Sequence, residues 1–266
     1  MTQPLPLTGT TIVVTRPARQ AGPLCRLIEA QGGRAISFPS LEIECFSQPQ
    51  PLLQQIEQFD IAIFISTNAV ECAAPFMQKP LPQKTILAAV GKRTATLLQQ
   101  HHHEHPILSP DNGADSEALL EMPELQLVRE QRILIVRGEG GRELLAETLI
   151  QRGAQVEYAE VYRRVRPRGD LAALQNQNKI DLMTATSNES LQNLYDMAIA
   201  SQRDWLLALP LVVIGQRGAE LAHRLGFQHP AIIAAEASDA GLLRAMIEWR
   251  RQQPNHTTSP LLPGGG

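Results

Sequence analysis

Cysteine and lysine are both scarce in this sequence of 266 residues. The three cysteines, Cys25, Cys45 and Cys72, are far apart, and none belongs to a CxxC pair or to a cysteine and histidine pattern. Such a set predicts neither a disulfide framework nor a zinc site, and it favours a reducing cytoplasm. Only four of the 24 basic residues are lysine, so 20 are arginine. Arginine suits bidentate binding of carboxylates or phosphates, although genome composition can produce the same bias.

The chain also lacks long apolar runs, a basic leader and an excess of positive charge. No apolar run approaches the roughly 18 residues that a membrane span needs, and the first ten residues do not begin like a signal peptide. The net charge of -3 argues against a nucleic-acid-binding surface. We therefore expect a cytoplasmic globular protein, and the length favours two domains.

The sequence contains an internal repeat. Two stretches, beginning at Thr11 and Arg132, share a short apolar run that ends in arginine, a turn rich in proline or glycine, an amphipathic stretch, a glycine and a second apolar run. Further matches follow in the same order at offsets of 120 to 124 residues. The matched landmarks are Arg16 with Arg137, Thr67-Asn68 with Ser187-Asn188, Gly91 with Gly215, and Leu119 with Leu242.

Each copy of the repeat alternates short apolar runs with amphipathic stretches of helical period. This alternation is typical of βαβ units in a parallel sheet, whose strands are covered on both faces. The predicted fold is therefore α/β, with two similar parallel-sheet βαβ domains that arose by duplication. Ligands of such sheets bind beyond the carboxyl ends of the strands, so the candidate binding turns are 16–19, 66–68, 91–94, 137–142, 186–188 and 215–218.

The glycine turn at 138–143 approximates a dinucleotide fingerprint, but its sixth position is Glu143 rather than glycine or alanine. An acidic residue facing a phosphate is unfavourable, and the chain has no GKS or GKT sequence. Nucleotide binding is therefore disfavoured, and the alternative is a plain glycine turn beside an arginine. The hydroxyl residues of 66–68 and 186–188 can cap helices, bind a carboxylate, or do both. Neither stretch has GxSxG spacing, which gives no support for a serine nucleophile.

Two further features allow more than one interpretation. The histidines of the tract 101–105 could suggest a metal site, but they lie between a helix pattern and Pro106, so we expect a solvated turn. Tyr162 follows the second apolar run of the second copy. It can be either a buried structural tyrosine or a functional phenol.

Taken together, the ordered motifs resemble the uroporphyrinogen-III synthase family. Each motif is weak by itself, whereas the ordered set is fairly specific and extends from Thr11 to about Arg250. The motifs are TRP at 15–17, FISTNAVECA at 64–73, AAVGKRTA at 88–95, VRGEGGRELLAETL at 136–149, VYRR at 161–164, TSN at 186–188, VIGQRGAELA at 213–222 and ASDAGLL at 237–243.

The resemblance implies a discontinuous first domain. Residues 1–37 and 165–251 would form one α/β domain and residues 38–164 the other, with two extended strands, near 35–43 and 156–164, crossing between them. The duplication alone would instead suggest contiguous halves that divide near Glu121. The composition of residues 252–266 predicts a disordered tail.

The resemblance also implies a reaction, the cofactor-free cyclisation of hydroxymethylbilane to uroporphyrinogen III with inversion of ring D and loss of water. Tyr162 matches the tyrosine proposed in the family as proton donor. The substrate carries eight carboxylates, and a cleft lined by arginines and helix N-termini would bind them. The expected substrate-binding residues are Arg16, Ser66, Thr67, Asn68, Lys92, Arg137, Gly138, Thr186, Ser187, Asn188, Gly215 and Gln216.

The resemblance implies no metal, no cofactor and a monomer. Gln216 departs from the family, in which a hydroxyl or small residue often follows the glycine.

Two other functions remain open. A non-catalytic two-domain protein that binds a small polycarboxylate would have similar lobes, although such proteins are usually exported. A nucleotide-dependent enzyme is the other alternative.

Overall fold

A computed structural model describes residues 4–48, 50–77, 81, 84–111, 113, 115–141, 143–177 and 179–253. The chain forms two compact units. Unit one contains Met1–Glu42 and Arg166–Gly266, and unit two contains Ile43–Val165. The boundaries expected from the sequence lie after residues 37 and 164.

Eleven strands and twelve α-helices alternate along the described chain. The strands are β1 Thr11–Val14, β2 Arg34–Ser37, β3 Glu42–Cys45, β4 Ile61–Phe64, β5 Ile86–Ala89, β6 Ile107–Leu108, β7 Arg132–Gly138, β8 Gln155–Val165, β9 Leu182–Ala185, β10 Leu211–Ile214 and β11 Ile232–Ala234. The helices are α1 Ala18–Ala30, α2 Pro51–Gln54, α3 Thr67–Ala73, α4 Lys92–His101, α5 Ser116–Leu120, α6 Pro123–Gln126, α7 Leu144–Gln151, α8 Leu171–Gln177, α9 Asn188–Met197, α10 Ala200–Leu207, α11 Gly215–Leu225 and α12 Asp239–Gln252.

Each unit is built on its own sheet. Unit one has five strands in the order β11-β10-β9-β1-β2, and unit two has six in the order β3-β8-β7-β4-β5-β6. Every strand pair whose register is described is parallel. Strands β4 and β9 are buried along their whole length, as expected for strands that are covered by helices on both faces. The predicted α/β class is confirmed.

The two sheets show how the duplicated copies are combined. Unit one takes β1 and β2 from the first copy and β9, β10 and β11 from the second. Unit two takes β7 and β8 from the second copy and β4, β5 and β6 from the first, and β3 is added at its edge. Counted along each repeat, both sheets have the strand order 2-1-3-4-5. The sheets therefore mix the two copies, and contiguous halves are not the arrangement that the chain adopts.

The two expected crossing strands differ from each other. The segment near 35–43 is interrupted, because β2 ends at Ser37 in one sheet and β3 begins at Glu42 in the other. Pro39 lies in this gap and has no backbone N–H to donate to a strand partner. In the same gap, the buried Ser40 hydroxyl donates a hydrogen bond to the Ser190 carbonyl, 2.8 Å away. The second segment forms β8, a single strand of 11 residues.

The cysteines contradict the expectation drawn from their spacing. Cys45 in β3 and Cys72 in α3 form a disulfide, with Cα atoms 5.3 Å apart, and Cys25 is a half-buried free thiol. Burial raises the pKa of the Cys25 thiol. The prediction failed because β3 joins the edge of the unit-two sheet, and cysteines separated by 27 residues then lie side by side. Sequence spacing does not show this pairing.

We expect Cys72→Ser to lower the free energy of unfolding by about 3.5 kcal/mol, because the disulfide closes a loop of 27 residues in the unfolded chain. Denaturant titration under non-reducing conditions measures the change, and Cys25→Ser is the control, for which we expect little change. A thiol count of the unfolded chain without reductant should give one reactive thiol. A count of three would show that the bond does not form.

The histidine tract is also different from the expected solvated turn. His102 and His105 are buried, and Nε2 of His105 lies 3.1 Å from the Leu81 carbonyl oxygen. The Gln99 side-chain amide donates to the carbonyls of His102, His103 and His105. The tract thus forms a structured end to α4, and the prediction is wrong for two of its histidines. A residue-type pattern could not show that a glutamine one turn earlier would bind these carbonyls.

The described C-terminal end is helical. Helix α12 continues to Gln252, the first residue of the predicted disordered tail, and residues 254–266 lie outside the described residues. Among the helices that the structure describes, none combines the length and the apolar character that a membrane crossing requires.

Candidate functional site in unit two

The binding turns predicted from the sequence follow β1, β4, β5, β7, β9 and β10. Because the strands of a parallel sheet point the same way, three turns lie at the carboxyl edge of each sheet. In the 2-1-3-4-5 strand order, ligands bind where the order reverses. In unit two this point lies between β7 and β4, so the ends of these two strands are the place to look for a site.

Tyr162 lies near this point because of an irregularity in β8. Arg137 of β7 is paired with Glu160, but the next residue, Gly138, is paired with Tyr162, so β8 holds one extra residue. Regular alternation would place Tyr162 on the same face as Tyr158. Instead, Tyr162 packs in the cluster that contains Val161, whereas Tyr158 packs against the opposite cluster. This β-bulge redirects the Tyr162 side chain, a frequent use of bulges beside functional sites.

Gly138 makes room for the ring of Tyr162. A Cβ atom at position 138 would lie 2.5 Å from Cε2 of Tyr162, closer than two nonbonded carbon atoms approach each other. The Glu139 amide donates to the Tyr162 carbonyl at 2.7 Å, which joins the glycine turn to β8 at the same residue. Gly138 was expected among substrate-binding residues, and the structure adds a steric reason for glycine at this position.

A cavity of about 500 Å³ opens at this end of the sheet. Both Tyr158 and Tyr162 line it, together with the turn after β7 and the start of α5. Tyr162 is only 1% exposed, and the Arg164 guanidinium lies 6.0 Å from the centre of its ring. The cavity therefore combines apolar walls with two phenols, two arginines and one carboxylate, Asp115, and a mostly apolar pocket with a few polar groups is typical of a small-molecule site.

The turn after β4 contributes the hydroxyl nearest to this phenol. Ser66 caps α3 by accepting a hydrogen bond from the Ala69 amide, and its Oγ lies 3.2 Å from the Tyr162 hydroxyl, where either group can donate. Thr67 and Asn68 form the first turn of α3 and are half-buried. Capping and participation in the site are thus compatible for Ser66, as the sequence had suggested.

Arg137 is 3% exposed and makes several hydrogen bonds. Its Nε donates to the carbonyls of Gly138 and Gly140, and its Nη1 donates to Glu143 at 3.1 Å. These bonds explain why the turn 138–143 carries an acidic residue where a nucleotide fingerprint has glycine. Glu143 neutralises a buried guanidinium, which supports the plain glycine turn over a phosphate site.

Tyr158 is a residue that the sequence analysis did not identify. Its hydroxyl donates to Glu143, and the Arg137 guanidinium lies 4.5 Å from the centre of its ring. Burial, followed by the bond to Glu143, raises the pKa of Tyr158 to about 12. The bonds from Tyr158 and then from Arg137 hold the pKa of Glu143 below its ordinary value. No sequence motif marked Tyr158, because its role depends on the side chain of a residue 15 positions earlier.

The corresponding edge of unit one carries the remaining predicted residues. Arg16 follows β1 and forms an ion pair with Asp239 at the start of α12, so its guanidinium is partly neutralised. Thr186 is half-buried, Ser187 caps α9 through the Ser190 amide, and Asn188 begins that helix. No motif in the sequence indicated the pair between Arg16 and Asp239.

Other predicted residues are on the surface. Lys92 is exposed in the first turn of α4, where Gly91 is the N-cap. Gly215 begins α11 with a φ of +73°, a conformation that favours glycine, and Gln216 beside it is exposed. Within the part of the chain that the structure describes, no cluster of three His, Cys, Asp or Glu residues is placed to hold a metal ion. The described geometry places Ser66, Arg137, Gly138 and Tyr162 together in unit two.

The fold and this site define a duplicated α/β protein with a cavity at the carboxyl end of a parallel sheet. Comparison with known proteins gives the family. The family model described as Uroporphyrinogen-III synthase HemD matches residues 23–244. The chain therefore belongs to the uroporphyrinogen-III synthase family, and the predicted resemblance is confirmed.

Curated relatives cover nearly the whole chain. Uroporphyrinogen-III synthase of Escherichia coli (strain K12) is 35% identical over 249 residues, which are 89% of this chain and 99% of the relative. That of Synechococcus elongatus is 31% identical over 266 residues, covering 93% of this chain and 98% of the relative. These similarities support the function of uroporphyrinogen-III synthase in haem biosynthesis for this chain.

Solved structures share the fold at lower identity. The synthetase from Helicobacter pylori 26695 aligns with a TM-score of 0.62 at 17% identity, covering 90% of this chain and 99% of that one. A mutant synthase from Thermus thermophilus aligns with a TM-score of 0.58 at 18% identity, covering 92% of this chain and 99% of that one. These similarities extend over both units of the chain and support the two-unit α/β architecture.

Proposed function

We propose that the chain is a lyase that converts hydroxymethylbilane into uroporphyrinogen III by losing water and closing the ring, with ring D inverted. The observation that carries this proposal is Tyr162, a buried phenol that lines the unit-two cavity and lies within hydrogen-bond distance of Ser66. Its position is that of the tyrosine implied by the family resemblance.

The proposed chemistry needs a proton donor and control of geometry. Electron donation from a pyrrole nitrogen expels the substrate hydroxyl, which leaves as water once Tyr162 donates a proton to it. The substituted α-carbon of the last pyrrole ring then bonds to the methylene carbon that lost the hydroxyl, which forms a spiro intermediate. The bond from this α-carbon to its original bridging methylene breaks, that methylene bonds to the ring's free α-carbon, and the proton released there restores the Tyr162 phenol. Acid assistance of this kind is worth about 10²- to 10⁴-fold in rate, whereas positioning can contribute roughly 7 to 11 kcal/mol. Binding geometry therefore carries most of the selectivity.

The proposed binding residues supply donors for the substrate's carboxylates. Helix N-termini and hydroxyl groups are suited to this task because their N–H and O–H groups point outward and the helix dipole favours an anion. Arg137 is best assigned to holding its own turn, because its Nε and Nη1 donate to protein acceptors. The other predicted residues are Arg16, Ser66, Thr67, Asn68, Lys92, Gly138, Thr186, Ser187, Asn188, Gly215 and Gln216.

We expect Thr186→Ala to raise KM about 10- to 100-fold and to change kcat by less than about twofold, because a hydrogen bond to a charged group contributes roughly 1.5 to 3 kcal/mol. Thr186 is preferable to Ser187 because Ser187 also caps α9. Steady-state kinetics measures both constants, and Thr148→Ala in α7 is the control. A normal KM with a collapsed kcat would contradict a binding role.

The function is tested by incubating the chain with hydroxymethylbilane and separating the I and III isomers of the product. We expect predominantly the III isomer. The alternative function, a non-catalytic polycarboxylate binder, would leave only the I isomer that forms spontaneously. The same preparation should show no rise in Tm with NAD or ATP, whereas a rise would favour a nucleotide-dependent enzyme.

A monomeric state and a cytoplasmic location stay predictions from the sequence and the family resemblance. Disulfides are rare in the cytoplasm, so the state of Cys45 and Cys72 in the cell bears on the second prediction. The mass from light scattering tests the first. The thiol count proposed above, made on protein from freshly lysed cells, tests whether the bond exists there.

A further inference from the structure

One carboxylate, that of Glu143, joins two side chains that line the unit-two cavity. Oε1 of Glu143 accepts a hydrogen bond from Nη1 of Arg137, and its Oε2 accepts one from the Tyr158 hydroxyl. We call Arg137, Glu143 and Tyr158 the Glu143 cluster. Arg137 and Tyr158 line the cavity, whereas Glu143 is the half-exposed N-cap residue of α7 and is not among the lining residues.

At the centre of the cluster, the Arg137 guanidinium is almost fully buried. A buried cation is unfavourable unless an anion and hydrogen-bond acceptors surround it. Glu143 supplies the nearer anion, and the Glu160 carboxylate lies 4.0 Å from Nε. The carbonyls of Gly138 and Gly140 supply the acceptors, at 3.2 and 3.0 Å.

These bonds fix a turn that has much conformational freedom of its own. Gly140 and Gly141 have φ values of +70° and +118°, so the chain at this point is free to adopt conformations that other residues avoid. Nε of Arg137 donates hydrogen bonds to two carbonyls of the turn and so holds both beside one guanidinium. Without Glu143 the more distant Glu160, 4.0 Å from Nε, would be the carboxylate left to compensate the buried guanidinium, and we expect the guanidinium to move toward water.

The proton positions in the cluster are also fixed. The Tyr158 hydroxyl donates a hydrogen bond to Oε2 of Glu143; burial and then this bond raise the pKa of Tyr158, and the same bond lowers the pKa of Glu143. Tyr158 is therefore committed to Glu143 and is unsuited to donate a proton to a substrate. Of the two phenols that line the cavity, Tyr162 is the one suited to proton donation.

The turn is in direct contact with Tyr162. Gly138 packs against its ring, and the Glu139 amide donates to its carbonyl. A movement of the turn therefore moves the phenol relative to Ser66. In an active site, a displacement of about 1 Å can cost about a hundredfold in rate.

We infer that Glu143 is a positioning residue for this reaction, which holds Arg137 and Tyr158 and through them the turn 138–141 against Tyr162. The inference rests on the proposed function and extends it from the residue that donates the proton to the group that holds that residue in place.

The test compares kcat and KM for Glu143→Gln with those for Glu147→Gln, which alters an exposed glutamate one turn further along α7. We expect Glu143→Gln to lower kcat about 10- to 100-fold with KM changed by less than about threefold. Glu147→Gln should leave both constants unchanged. A Glu143→Gln variant with wild-type kcat would overturn the inference, and so would an equal loss in Glu147→Gln.

A double-mutant cycle separates positioning from general damage. In the Tyr162→Phe background, Glu143→Gln should cost less than about twofold further, because its effect passes through the missing hydroxyl. Losses that simply multiply would show that Glu143 acts independently of Tyr162 and would overturn the inference.

If Glu143→Gln does not fold, Tyr158→Phe replaces it in the test, since this change removes one hydrogen bond to Glu143 and keeps the ring. We expect a loss of about threefold to tenfold in kcat with little change in KM, and an unchanged kcat would overturn the inference. If the wild-type chain forms no III isomer, the proposed function is refuted and the inference falls with it.

Discussion

Tyr162→Phe is expected to lower kcat about 10²- to 10⁴-fold while the product that forms is still mostly the III isomer. The change removes the hydroxyl that lies 3.2 Å from Ser66 and leaves the ring that packs against Gly138. General acid assistance has this magnitude. The isomer ratio is expected to persist because ring inversion depends on how the chain of pyrroles is held rather than on the acid.

The measurement is a rate assay with separation of the isomers, and Tyr195→Phe is the matched control. Tyr195 lies in α9 of unit one, and its ring contacts the Arg203 guanidinium. We expect this control to keep the wild-type kcat. An unchanged kcat in Tyr162→Phe would remove Tyr162 from the role of acid, and the I isomer alone would show that it also directs ring inversion.

Gly138→Ala is expected to lower kcat about a hundredfold and to destabilise the fold by roughly 1 to 3 kcal/mol. The new methyl group would overlap the Tyr162 ring, at a separation of 2.5 Å from Cε2, so either the ring or the turn must move. Overpacking of this kind has the stated cost in stability, and displacement of a reacting group has the stated cost in rate.

Gly22→Ala is the control for Gly138→Ala. Gly22 lies inside α1, where an added Cβ meets only the Arg26 side chain at 3.4 Å. Replacing glycine by alanine in a helix interior should be neutral or stabilising. Wild-type kcat in Gly138→Ala would mean that the ring tolerates displacement, and the close packing of Gly138 on Tyr162 would then have no functional meaning.

The repeat in the sequence predicted most of the architecture. Short apolar runs such as Ile61–Phe64 became buried parallel strands because the helices of βαβ units cover both faces. The hydroxyl residues Ser66 and Ser187 became N-caps at strand ends, where the sequence had placed them. These features depend on local pattern and on the repeat, and both can be read along the chain.

The features that the sequence did not predict depend on contacts between distant residues. The bulge that turns Tyr162 to the face of Val161 leaves no mark in the apolar pattern of β8, because both faces of that strand are partly buried. Glu143 was recognised only as unsuited to a nucleotide phosphate, and its bond to Tyr158 required the fold. The disulfide between Cys45 and Cys72 likewise depends on where β3 joins its sheet.

We expect the reaction to take place at the Tyr162 cavity. The most direct test is a crystal structure of the chain grown anaerobically with uroporphyrinogen III. We predict a pyrrole ring of the product within hydrogen-bond distance of the Tyr162 hydroxyl, with propionate or acetate groups on the N-termini of the neighbouring helices. A product bound elsewhere on the chain, with the cavity beside Gly138 left to solvent, would show that the reaction does not take place at Tyr162.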